Sequence, residues 1–106
     1  MEDIQSKEKF EKKVLKKSRE KPVVVDFWAE WCLPCKKLGP KMEKAEEKTE
    51  DTEFYKVNID ELPEVAEDHG VKSIPNVILF MNGEEKDSFS GVMEPGDIAE
   101  WINENI

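Results

Sequence analysis

The only two cysteines of the chain stand two residues apart, in Trp31-Cys32-Leu33-Pro34-Cys35. What two thiols at this spacing can do depends on where they sit. The run before them, Val23-Val24-Val25-Asp26-Phe27-Trp28, is β-branched and apolar, whereas the residues after them have a helical pattern. The pair therefore marks the junction of a strand and a helix. The first turn of a helix leaves backbone N–H groups unpaired and carries a partial positive charge. A thiolate placed there is favoured over a thiol, so Cys32 is expected to be unusually acidic. Cys35 lies one turn further along, on the same side. Pro34 suits an early helical position, which needs no N–H donor. The expected device is an exposed attacking sulfur, Cys32, backed by a shielded resolving sulfur, Cys35.

Other fates for two cysteines fit less well. A closed zinc site takes four ligands, and the chain offers no second cysteine pair and a single histidine, His69. A bridge between residues so close closes a tiny loop, which restrains the unfolded chain little. Buried inert thiols are common, but not as a pair at a helix start. Redox chemistry is the reading that uses both the spacing and the placement.

The strand before the pair carries an anomaly. Alternation puts Asp26 on the face shared with Val24 and Trp28, inside a run that reads as covered on both sides. A carboxylate in such a place is disfavoured as an anion and shifts towards its neutral form. Close to reactive thiols, that favours a functional role for Asp26 over a polar residue merely touching solvent at a strand end.

Composition sets bounds on the partners. With 106 residues the chain makes one domain, large enough for a core of its own. Its net charge is −9, which argues against nucleic acid, whose binding rests on Lys and Arg, and against anionic membranes. No apolar run approaches the roughly 20 residues of a membrane span. The N-terminus lacks the basic-then-apolar pattern of a secretory leader. A cytoplasmic location is expected, where disulfides tend to be catalytic rather than structural.

The remaining elements can be placed around this centre. Residues 2–5 give a thin signal for an edge strand. Ser6 reads as an N-cap to an amphipathic helix with Phe10, Val14 and Leu15 inward, and Lys16-Lys17 as its solvated end. The helix after the cysteines runs to about Lys48, with Leu38, Met42 and Ala45 as its stripe and Pro40 expected to kink it. Phe54 to Ile59 alternates as a strand; its Lys56 either points inward towards Asp26 or snorkels to water. A short helix spans Leu62 to His69 with Gly70 as its cap, and His69 is expected to be an exposed cap rather than a ligand. Val77 to Phe80 and Lys86 to Ser90 form a hairpin about Asn82-Gly83. Glu94-Pro95-Gly96-Asp97 opens a last helix with Ile98, Trp101 and Ile102 inward. This order implies an α/β fold: a mixed sheet of four strands, five if residues 2–5 join it, with helices on both faces.

On these residues the chain resembles the thioredoxin family. The carrying stretches are Val25 through Cys32 with Pro34-Cys35, Lys56 to Asp60, Ile74-Pro75, Phe80 with Asn82-Gly83, and Gly91. They keep the family order along nearly the whole chain. The resemblance implies the thioredoxin fold and a cytoplasmic protein-disulfide reductase that cycles between dithiol and disulfide, with Cys32 as nucleophile and Cys35 as resolving cysteine. It makes Asp26 the buried carboxylate that moves the proton of the inner thiol, supported by Lys56 and Trp28. It implies a cis-proline at Pro75 facing the cysteines, and a flat apolar docking patch of Trp31, Leu33, Pro34, Ile74, Pro75 and Gly91. No cofactor or metal is implied beyond the redox disulfide itself. The implied partners are disulfide-containing proteins and a thioredoxin-reductase-type electron donor, with the chain acting as a monomer.

Three departures stand out. Leu33 replaces the usual glycine between the cysteines and adds apolar bulk where partners dock. Ser73 replaces a small glycine, and the short N-terminus suggests a reduced or missing first strand. The readings that compete with a reductase are a secretory oxidant or isomerase, a glutaredoxin-like carrier, and a non-catalytic subunit that binds through the same patch.

Overall fold

In the computed structural model, which describes residues 1–106, the first strand is present but short: β1 is Glu2–Asp3. Ser6 then caps α1 (Lys7–Phe10), its side chain accepting the Lys9 N–H. β2 (Val23–Trp28), α2 (Leu33–Glu47), β3 (Glu53–Asn58), α3 (Pro63–Asp68), β4 (Asn76–Met81), β5 (Glu84–Ser90) and α4 (Pro95–Asn105) follow. The five strands form one sheet in the order β1-β3-β2-β4-β5. β2 pairs parallel with β3 and antiparallel with β4, so it lies at the centre.

Alternation along β2 divides the core. Val23, Val25 and Phe27 face one side and join Phe10, Val14, Val57, Ile78 and Phe80. Val24 faces the other and joins Leu38, Met42, Phe54, Val77, Leu79, Ile98 and Ile102, the stripes of α2 and α4. Helices cover both faces of the mixed sheet, as the element order implies. Pro40 lies inside α2, which runs on past it to Glu47. The outer strand β5 is polar along most of its length, with Glu84 to Ser88 all exposed. No helix is long and apolar enough to cross a membrane.

Two features differ from the expectations drawn from sequence. The first amphipathic helix is α-helical only to Phe10; Glu11–Lys16 forms a wider π-type coil and Lys17–Arg19 a 3₁₀ turn. Phe10, Val14 and Ser18 are all buried along this coil. His69 is the C-cap of α3, as expected, but it is not exposed. Its side chain is 16% exposed and its Nδ1 lies 2.8 Å from the Glu85 carboxylate. The ring stacks obliquely on Phe10 and edge-on to Phe80. The chain reverses at Gly70, at φ +65°, just beyond it.

Ser18 ties this helix to the β4–β5 turn. Its hydroxyl donates to the Leu15 carbonyl at 2.7 Å and accepts the Gly83 N–H at 2.8 Å. The Asn82 N–H donates to the Ser18 carbonyl at 2.8 Å. Asn82 and Gly83 both have positive φ, the tight hairpin geometry that Asn-Gly favours. Ser18→Ala leaves the partly buried Gly83 N–H without its partner and is expected to cost about 1 kcal/mol. Denaturant unfolding measures it; an unchanged midpoint would refute the tie.

Candidate active site

Cys32 occupies the N-cap of α2, in extended backbone, and its sulfur accepts the Cys35 N–H at 3.3 Å. Leu33 and Pro34 fill the first helical positions, where Pro34 withdraws a donor that the helix does not need. The two sulfurs are joined as a disulfide, with the Cα atoms 5.3 Å apart. Cys32 is thereby less open than its sequence position suggests: it is 5% exposed and Cys35 4%. Both cysteines pack with Ala29, and Trp28, Ile59 and Ile74 pack around them. An exposed outer sulfur and a shielded inner one are not distinguished in this oxidised form.

The surface above the disulfide is apolar. Trp31 and Leu33 are each 68% exposed, and Pro34 is exposed beside them. Trp31 is held by its indole N–H, which donates to Asp60 at 2.8 Å, while the Asp60 N–H donates to Asn58 Oδ1 at 2.9 Å. Asp60 thus fixes an exposed tryptophan across 29 residues of sequence, a role no local pattern marks. Ile74 is half-buried against the cysteines and Pro75 is buried, with a cis bond between them. The Gly91 N–H donates to the Pro75 carbonyl at 3.1 Å, and Gly91 has φ +85°, a conformation that favours glycine. Val92, 41% exposed, adds to this apolar rim, and sequence reading missed it.

Beneath the disulfide, on the α2 side of the sheet, a cleft of about 270 Å³ is lined by Asp26, Trp28, Cys35 and Lys56 among others. Asp26 is 2% exposed, and its Oδ1 accepts no hydrogen bond from the protein. Burial pushes its carboxyl up from 3.8 to about 7, the Lys56 ammonium opposing this and the Asp3 carboxylate adding to it. Lys56 is half-buried, its Nζ 4.7 Å from the centre of the Trp28 ring. The structure therefore brings Asp26, Lys56, Trp28 and Cys35 to one cleft, and places Trp31, Leu33, Pro34, Ile74, Pro75 and Gly91 in the loops and first helical turn around the disulfide. No group of three or more His, Cys, Asp or Glu side chains is placed to hold a metal ion.

Comparison with known proteins agrees with this geometry. Residues 3–104 match the family model described as Thioredoxin. Thioredoxin of Rickettsia bellii is 48% identical over 98 residues, covering 92% of this chain and 91% of its own length. Probable thioredoxin-2 of Caenorhabditis elegans is 41% identical over 96% of this chain and 70% of its own. The X-ray structure of Fasciola hepatica thioredoxin matches with a TM-score of 0.88 at 29% identity, over all of both chains. A bridged cysteine pair at the start of a helix, in a sheet of this order and with relatives at this identity, leaves one assignment: the chain belongs to the thioredoxin family and is a thiol–disulfide oxidoreductase that reduces protein disulfides.

Proposed function

We propose that the chain serves as a monomeric, cytoplasmic electron carrier in which Cys32 attacks and Cys35 resolves. In the reduced protein the Cys32 thiolate attacks one sulfur of a substrate disulfide. A mixed disulfide forms and the other substrate sulfur leaves as a thiolate, which takes up a proton. The Cys35 thiol then gives its proton to the Asp26 carboxylate, directly or through water, and its sulfur attacks Cys32. The second substrate sulfur leaves Cys32 as a thiolate and takes up a proton, so the substrate departs as a dithiol, and the two electrons it has gained are balanced by the new Cys32–Cys35 bond. A separate reductase of the thioredoxin-reductase type returns two electrons and two protons. Trp31, Leu33, Pro34, Ile74, Pro75 and Gly91 form the docking patch, where backbone groups beside Pro75 pair with an extended substrate segment as in strand addition.

The observation that carries this reading is the Cys35 N–H aimed at the Cys32 sulfur at 3.3 Å. A donor so placed, together with the partial positive charge of the helix start, stabilises a thiolate on Cys32. Alkylation of the fully reduced protein with iodoacetamide at pH 7 tests it, with the modified residue identified by mass spectrometry. Cys32 is expected to react faster than both Cys35 and free cysteine. Equal rates at the two residues would remove the distinction between attacker and resolver.

A further inference from the structure

The edge strand β1 brings a charge towards the cleft. Its register sets Asp3 opposite Lys56 on β3, and Lys56 in turn stands opposite Asp26 on β2. Register partners share a face of the sheet, so a carboxylate, an ammonium and a carboxylate form one row across three strands. The row is firmly placed. The Ile4 N–H donates to the Lys56 carbonyl at 2.8 Å, and the Ile4 side chain is buried in the core. Asp3 Oδ1 accepts the indole N–H of Trp28 at 3.3 Å, and the Lys56 ammonium lies over that same ring.

We propose that Asp3 is a positioning residue for the dithiol reaction: it fixes Trp28 and, across the sheet from Asp26, forms the second of the two carboxyl groups that flank Lys56. This rests on the reading of Asp26 as the proton acceptor of Cys35. The other charges around the cleft are accounted for. Glu43 on α2 is paired with the N-terminal ammonium of Met1 at 3.2 Å. Lys36 on α2 is exposed, so water screens it. Lys56 and Asp3 remain as the charges that act on Asp26 with opposite signs.

The test follows the Asp26 carboxyl directly, by carbon-13 NMR titration of the full-length reduced protein, in the wild type, Asp3→Asn and Asp3→Glu. In Asp3→Asn the Asp26 midpoint is expected to fall below the wild-type value, and Asp3→Glu, which keeps the charge, is expected to restore it. The pH profile of disulfide reduction should shift to lower pH in step with the titration. An Asp26 midpoint unmoved by Asp3→Asn in a folded protein overturns the proposal. The reading of Asp26 fails separately, if Asp26→Asn leaves the pH profile of reduction unchanged whatever the Asp3 variants do.

Discussion

Cys32→Ser is expected to bring insulin reduction down to the uncatalysed background, whereas Cys35→Ser is expected to halt the reaction halfway and leave the protein covalently joined to its substrate. The asymmetry follows from the order of the two steps. Without Cys32 nothing attacks the substrate disulfide, because it is the Cys32 sulfur, at the N-cap and accepting the Cys35 N–H, that the helix start favours as a thiolate. Without Cys35 the first bond still forms, but no neighbouring sulfur displaces it, so the mixed disulfide persists until an external thiol arrives. Intact-mass analysis after mixing the reduced variants with insulin separates the outcomes. Cys35→Ser should gain the mass of one insulin molecule, whose two chains stay joined by the second interchain disulfide, and Cys32→Ser should gain none. Full insulin reduction by Cys32→Ser would overturn the assignment of the two sulfurs. A non-catalytic subunit would be indifferent to both changes, so the pair of variants also tests that competing reading.

Asp26→Asn is expected to make the protein more stable at every pH above about 4, with the full gain at neutral and alkaline pH. Burial raises the Asp26 carboxyl from 3.8 to about 7. Between those values the folded chain holds a proton that the unfolded chain has released. Stability therefore declines as pH rises through this window, by about 1.4 kcal/mol per pH unit and about 4 kcal/mol in all above pH 7. Below pH 3.8 both states carry the proton and the term vanishes. Asparagine has nearly the same shape and no charge to bury, so the variant escapes the loss. Guanidinium unfolding of both proteins at pH 8 and pH 3.5 measures it: a large gap at the first pH and a small one at the second. Equal midpoints at pH 8 would mean that the carboxyl is not disfavoured as an anion. The same energetics suit the proton-accepting role proposed for Asp26, since a carboxyl balanced near neutral pH both accepts a proton and returns it. Retaining a group that weakens the fold is the common pattern of stability yielding to activity.

How much of this was legible in the chain depended on the span of each contact. The redox pair, the Ser6 cap, the Asn82-Gly83 turn and the Asp26 anomaly are all read within a few residues. Their geometry is governed by local backbone rules, and the structure places them accordingly. Asp3, Ser18 and His69 could not be read that way. Their partners are Trp28, Gly83 and Glu85, at separations of 25, 65 and 16 residues. Only the sheet order brings them together, and a hydroxyl or imidazole in isolation does not announce which strand it will meet. The widened coil after Phe10 was hidden for a related reason. The row Phe10, Val14, Ser18 fits an α-helix by pattern, and Ser18 becomes part of it only because the hairpin turn lies within reach.

The charges along β5 bear on crowding. That strand is the outer border of the sheet beyond β4, and Glu84, Glu85, Lys86 and Asp87 stand exposed along it. Unpaired borders of this kind are where extended chains adhere and fibrils seed. A neighbouring copy laid against β5 would bring its own carboxylates against these and lose their hydration, so that stretch of backbone remains unattractive to its kin. With three carboxylates to one ammonium over Glu84 to Asp87, the border disfavours strand addition by a second copy of the chain.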